Sequence, residues 1–352
     1  MIRVLVAEDS LTVRELLVAI LQSDPDVRVV GQAKSGLEAV ELAKKLRPHL
    51  ITMDVHMPLM DGFEATKEIM VQAPTPIIIV SSSSSGADVE LSLNALRAGA
   101  LMLVAKPDDP QSPQFDGRQA QFVAMVKAMA DVKVVRRWGR QPAAAIRPRQ
   151  PPPAGPRRPV RVVAVAASTG GPAALHQILQ TLPRDFPVPV LAVQHIARGF
   201  VTGLAEWLNA SCDLRVKVAE HDEPLRARTV FLAPDDQHLG IGRGGQIELS
   251  DAPPISGFRP SATHLFESAA RALGPGVIAV VLTGMGNDGV AGLTALKAAG
   301  GAVIAQDEAS SVVYGMPGEA VAAGVVDAVV SVEEVAPRLR ELAADRETRE
   351  QP

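Results

Sequence analysis

The 352-residue chain is too long for one ordinary domain, and 35 Lys and Arg against 39 Asp and Glu give a formal charge of −4, with no basic excess for general nucleic-acid binding. Its single cysteine, Cys212, excludes an internal disulfide and any cysteine-rich zinc site, and reads as a core residue. The apolar opening stops at Glu8 and Asp9, too soon for a signal-peptide core or a spanning helix, so membrane insertion is not expected and cytoplasmic residence is.

Strand-like runs at 4–7, 27–30, 50–53, 76–80 and 101–105 alternate with helical patterns, beginning at 11–21 and 36–46. Five strands separated by helices predict a parallel sheet covered on both faces. Phe122, Val123, Val126 and Met129 suit a closing helix, which ends a first domain spanning 1–131. Residues 132–158 are rich in Pro, Ala and Arg, including Pro151-Pro152-Pro153, and read as a semi-rigid linker. A second domain, 159–346, repeats the alternation with strand-like runs at 160–167, 188–193, 277–282 and 302–305. Four short runs at 216–218, 230–232, 238–241 and 246–249 predict a short antiparallel insert or edge. The charged tail, 347–352, is expected to fray. The fold class is α/β: two doubly wound parallel-sheet domains, the first flavodoxin-like.

In such sheets the loops after the strands share one edge, where ligands bind. Glu8 and Asp9 follow the first strand, Asp54 the third, Ser81 the fourth and Lys106 the fifth. Three carboxylates at one edge repel unless a hard cation joins them, and Mg²⁺ held by Glu8, Asp9 and Asp54 is the oxygen-liganded choice. Asp54 is then a nucleophile towards a phosphoryl donor, with Mg²⁺ and Lys106 balancing charge and Ser81 donating to the product. The run from Ser81 to Ser85 otherwise reads as a flexible loop.

The second domain carries Ser168, His195 and Asp288 on three strand-end loops. A serine hydroxyl needs a base, and the base needs an orienting group, so these are a nucleophile, a proton carrier and an orienter for acyl transfer. Free amides at Thr169, and at Met285 or Gly286, are candidate oxyanion donors. Taken singly, each residue has a structural use as a helix cap, a core histidine or a turn. Two competing readings stand beside the triad. Gly284, Gly286 and Gly289 spell G-x-G-x-x-G with Asp307 downstream, a dinucleotide pattern, although it leaves Ser168 and His195 unused. The second is a binding module whose triad is idle. An ordinary α/β-hydrolase is disfavoured, because Ala166-Ala167-Ser168-Thr169-Gly170 lacks the first glycine of G-x-S-x-G and the chain order is Ser, His, Asp.

Residues 1–131 resemble the response-regulator receiver domain, through Glu8-Asp9-Ser10, Asp54-Val55-His56-Met57-Pro58, Asp61-Gly62, Ala98-Gly99-Ala100 and Lys106-Pro107. Leu103 stands where many members carry an aromatic switch residue, so an aromatic-rotamer signal is not expected. The second domain is similar to the catalytic domain of the chemotaxis protein-glutamate methylesterases. The match rests on Ala167 to Pro172, Gln194-His195, Arg259-Pro260-Ser261, Leu282 to Gly289, and Gln306-Asp307-Glu308 with Gly315-Met316-Pro317. The resemblance implies phosphorylation-activated hydrolysis of glutamate γ-methyl esters on chemoreceptor helices, with methanol released, and deamidation of receptor glutamines. It also implies a histidine kinase as phosphodonor, Mg²⁺ in the receiver and no cofactor in the catalytic domain. An unphosphorylated receiver that blocks receptor access is part of the same implication. By the same likeness His238 and His264 are structural or peripheral.

Overall fold

Apolar-rich runs become the strands of a first sheet: Ile2–Ala7 (β1), Val27–Ala33 (β2), Leu50–Met53 (β3), Ile77–Ser81 (β4) and Met102–Ala105 (β5). The computed structural model describes residues 1–81, 86–107, 115–132, 134 and 159–344; the serines after Ser81, most of the expected linker and the tail from 345 lie outside them. The chain divides into two units, 1–141 and 142–352.

In the first unit the strands are all parallel in the order β2-β1-β3-β4-β5. The helices are Leu11–Gln22 (α1), Gly36–Leu46 (α2), Gly62–Gln72 (α3), Gly86–Ala98 (α4) and Phe115–Ala130 (α5). Polar caps set where two of them begin. Ser35 accepts from the Glu38 amide at 3.2 Å to start α2, and Asp61 accepts from the Glu64 amide at 2.8 Å to start α3. Because β3 and β4 are buried along their whole length, both sheet faces must be covered, as a crossover topology requires.

The second unit is built on seven parallel strands: Val162–Ala167 (β6), Val190–Gln194 (β7), Arg215–Val218 (β8), Thr229–Leu232 (β9), Val277–Val281 (β12), Ala302–Gln306 (β13) and Ala328–Val330 (β14). Their order is β14-β13-β12-β6-β7-β9-β8. The four short strands expected across 214–249 therefore divide. β8 and β9 extend the main sheet in parallel, while His238–Ile241 (β10) and Ile247–Ser250 (β11) form a separate antiparallel pair. Helices Gly171–Thr181 (α6), Val201–Ser211 (α7), Ala262–Leu273 (α8), Val290–Ala298 (α9), Met316–Ala322 (α10) and Val332–Ala344 (α11) complete the unit. Alternation along β6 sends Val162, Ala164 and Ala166 into one core with Phe231, Leu265, Phe266 and Leu293. The opposite face meets Leu175, Leu179 and Leu339 through Val165.

The chain enters this sheet at its centre, builds outward through β7, then returns to the other side of β6 with β12. The crevice at the carboxyl ends of β6 and β12 is thus the topological switch point. Among the described residues no helix is long and apolar enough to cross a membrane.

Candidate active site

At the carboxyl edge of the first sheet the structure gathers Glu8, Asp9, Asp54 and Lys106. Lys106 Nζ lies 3.0 Å from Glu8 Oε2 and 2.9 Å from Asp54 Oδ2, and one oxygen each from Glu8, Asp9 and Asp54 lie within 4.8 Å of one another. Burial, then the Asp54 charge, pushes the Glu8 carboxyl up to about 7 against the pull of Lys106. Burial raises Asp54 as well, again opposed by Lys106. One ammonium does not neutralise three acids, and an all-oxygen set of two buried and one exposed carboxylate fits a hard divalent cation. Ser81 ends β4 beside them, 1% exposed, its carbonyl accepting from the Lys106 amide at 2.9 Å. Leu103 is buried. Sequence reasoning passed over Arg14, whose buried guanidinium donates to the carbonyls of Glu8 at 2.7 Å and Asp9 at 3.1 Å and so holds the acidic loop. An arginine in a helical pattern gives no sign of that task.

In the second unit Ser168 follows β6, His195 follows β7 and Asp288 follows β12. Three main-chain bonds lace these loops: Ser168 N–H to Thr283 O at 3.1 Å, His195 N–H to Ala167 O at 2.9 Å, and Leu282 N–H to Ala166 O at 2.9 Å. His195 Nε2 donates to Asp288 Oδ2 at 3.0 Å. An anionic carboxylate only accepts, so this contact puts the imidazole proton on Nε2 and leaves the lone pair on Nδ1. His195 Nδ1 is buried without a hydrogen-bond partner, and no Ser168–His195 hydrogen bond forms among the described residues. The ring is held flat against Phe258, centroids 4.3 Å apart at 9°.

Asp288 is 1% exposed in its side chain and accepts four more hydrogen bonds at the start of α8. Ser261 Oγ donates at 2.7 Å, the Ala262 amide at 2.7 Å, the Thr263 amide at 3.1 Å and Thr263 Oγ1 at 3.0 Å. Burial alone would raise this carboxyl, but the bonds from His195, Ser261 and Ala262 outweigh it and bring it down to about 2. The positive end of α8 acts in the same direction.

Thr169, Gly170, Met285 and Gly286 donate no amide hydrogen bond among the described residues. Met285 is 46% exposed, whereas Thr169 is buried. Gln194, whose role the sequence does not reveal, ends β7. Its Nε2 donates to both Ser168 O and His195 O at 2.8 Å, tying the Ser168 loop to the His195 loop. Thr283 Oγ1 likewise donates to Thr169 O at 2.9 Å. Phe258, Ser261 and Thr263 were also missed as partners of the dyad; only Ser261, inside Arg259-Pro260-Ser261, had a signal.

The glycine pattern has another explanation than a pyrophosphate. A Cβ at Gly284 would lie 2.5 Å from Met316 Sδ and 2.7 Å from Ser168 Cβ, so glycine here lets the serine loop approach. Asp307 is turned inward on Ser310, accepting from its amide at 2.9 Å and its hydroxyl at 2.6 Å. Neither feature is shaped for a dinucleotide.

A parallel α/β unit with a serine, a histidine and a buried aspartate at its switch point, preceded by a five-stranded 2-1-3-4-5 unit with an acidic edge, is the class that the geometry defines. Residues 163–339 match the family described as CheB methylesterase, and residues 4–112 match the response regulator receiver domain. The protein-glutamate methylesterase/protein-glutamine glutaminase 4 of Myxococcus xanthus (strain DK1622) is 55% identical over 347 residues, 96% of each chain. The third such protein of Anaeromyxobacter dehalogenans (strain 2CP-C) is 52% identical over 341 residues, 96% of this chain and 98% of its own. The crystal structure of the Thermotoga maritima CheB methylesterase catalytic domain superposes with a TM-score of 0.51 at 38% identity, covering 52% of this chain and 98% of that one. The chain belongs to the CheB methylesterase family, with a response regulator receiver domain at its N-terminal side.

Proposed function

We propose that this chain hydrolyses glutamate γ-methyl esters on chemoreceptors, releasing methanol, and converts receptor glutamines to glutamate, under control of phosphorylation at Asp54. The observation that carries the reading is the buried His195–Asp288 pair, which leaves Nδ1 as the base on the loop bonded to the Ser168 loop. In the first half-reaction Ser168 Oγ bonds to the ester carbonyl carbon and its proton passes to His195 Nδ1. Charge on the carbonyl oxygen is met by the free amides of Thr169 and of Met285 or Gly286, each such donor being worth about 3 kcal/mol of barrier. Collapse breaks the carbon–methoxy bond, and the proton returns from Nδ1 to the leaving methanol. Water then attacks the acyl-Ser168 carbonyl carbon with Nδ1 again taking a proton; the carbon–Oγ bond breaks, the proton passes from Nδ1 back to Ser168 Oγ, and glutamate departs. With glutamine the leaving group is ammonia and the remaining steps are the same.

In the receiver, Glu8, Asp9 and Asp54 would hold Mg²⁺, which when bound shields the transferring phosphoryl group. Lys106 offsets the second negative charge, and Ser81 stands at the adjacent strand end to donate to the product. The phosphodonor is a chemotaxis histidine kinase, and a small acyl phosphate would substitute for it. Residence in the cytoplasm, where kinase and receptor tails meet, completes the reading. The division into a receiver at 1–131, a linker at 132–158 and a catalytic domain at 159–346 belongs to it as well.

The test is methanol release from a methylated receptor fragment, with and without acyl phosphate. Release that depends on Ser168 and rises with the phosphodonor supports the proposal. No release under either condition refutes it, and leaves the receiver-controlled binding module as the surviving alternative.

A further inference from the structure

His238 opens β10, far from the triad in sequence, and is 0% exposed. Both ring nitrogens are employed. Nδ1 accepts from the Ser261 amide at 3.2 Å, and Nε2 donates to the Pro253 carbonyl at 3.1 Å. A main-chain N–H only donates and a carbonyl only accepts, so the pair of contacts selects the Nε2–H tautomer. The ring stacks on His264 of α8, centroids 4.8 Å apart at 20°. β10 is itself bound to α8, since Ile241 N–H donates to Ser268 Oγ at 3.1 Å. The imidazole is therefore a fixed peg.

What it joins matters more than its burial. Ser261 caps α8 and sends its hydroxyl to Asp288, 2.7 Å away, so two hydrogen bonds through Ser261 join His238 Nδ1 to the orienting carboxylate. Pro253 belongs to the strap that runs from β11 to Ser261. That strap turns tightly at Ser256 and Gly257, both at positive φ, with Ile255 and Phe258 exchanging main-chain bonds of 3.0 and 2.9 Å. Arg259 Nη1 ties the strap back on itself at the Asp251 carbonyl, 3.2 Å. At its end Phe258 lies flat on His195.

We infer that His238 is a positioning residue for the proposed esterase: one buried imidazole sets Asp288 through Ser261, and the plane of His195 through the strap that carries Phe258. The inference rests on the functional reading above, because it assumes that His195 and Asp288 serve Ser168. A packing role alone would need only a ring of this volume. The proposed role needs an acceptor at Nδ1 and a donor at Nε2, so it distinguishes substitutions that packing treats alike.

The experiment uses the full chain with His238→Phe, which keeps a ring and loses both hydrogen bonds. His238→Asn restores an acceptor near Nδ1, and His238→Gln a donor near Nε2. Three quantities are read: kcat and KM for methanol release, the rate at which a fluorophosphonate labels Ser168, and the thermal unfolding midpoint. In His238→Phe, kcat and the labelling rate should fall about tenfold or more with KM within about threefold, and Asn or Gln should recover part of that loss. A folded His238→Phe that labels at the wild-type rate, or a loss confined to KM, overturns the inference. If His238→Phe does not fold, wild-type labelling in both Asn and Gln overturns it equally. A wild-type chain that labels at Ser168 but releases no methanol refutes the proposed substrate and leaves the labelling test of His238 standing.

Discussion

Asp288→Asn is the most exposing perturbation of this site, because the aspartate accepts five hydrogen bonds and donates none. If the asparagine oxygen keeps the Ser261 and Thr263 donors, its NH₂ group faces the Ala262 amide and His195 Nε2–H. Both contacts are then donor against donor. His195 escapes only by moving its proton to Nδ1, the position that must be empty to receive the serine proton. The loss in kcat for a triad held in the wrong tautomer is about 10⁴-fold. Stability falls as well. The folded carboxyl sits at about 2 against an ordinary 3.8, a difference that contributes roughly 2 kcal/mol at neutral pH, and the unsatisfied Ala262 amide adds about 1–3 kcal/mol. The sign is set by the lowered value: the contribution is complete well above 3.8 and is lost as the pH falls towards 2. Methanol release and guanidinium unfolding of the full chain, measured between about pH 3 and pH 7, test both parts. The wild-type advantage in stability should shrink towards the acid end. A variant with more than a few per cent of wild-type turnover, or a stability difference that ignores pH, would refute the reasoning.

Ser168→Ala removes the proposed nucleophile and should abolish methanol release and fluorophosphonate labelling while leaving the unfolding midpoint near wild type; appreciable turnover would move the nucleophile elsewhere. Asp54→Asn should keep basal release and lose stimulation by acyl phosphate, read by release assays with and without the donor. Chelation of Mg²⁺ should do the same in the wild-type chain, and stimulation that survives chelation would count against Glu8, Asp9 and Asp54 as its ligands. Gly171→Ala brings a Cβ to 2.1 Å from Gln194 Oε1, so it should disturb the amide that bonds Ser168 and His195 and lower kcat about tenfold or more. Wild-type kcat there would show that Gln194 yields freely.

Local chemistry makes much of this protein readable in its sequence. Continuous apolar runs such as 77–80 must be buried on both faces, so alternating them with helices determines parallel sheets, and parallel sheets put Ser168, His195, Asp54 and Lys106 at strand ends. The fate of 216–218 and 230–232 was not readable in the same way. A four-residue strand carries no mark of its partner's direction, and only the tertiary structure shows β9 and β8 continuing the main sheet in parallel beside β7. The partners of Asp288 were hidden for a related reason. Ser261, Ala262 and Thr263 reach it through the N-terminus of α8, His238 reaches Ser261 from another sheet, and Phe258 reaches His195 from a turn. Sequence by itself determined the residue types and the strand-end positions, since these follow from periodicity and side-chain chemistry within a few residues. Which nitrogen of His195 faces Asp288, and what holds Asp288 ionised, were decided by tertiary structure alone, because hydrogen-bond direction depends on groups brought together from distant parts of the chain.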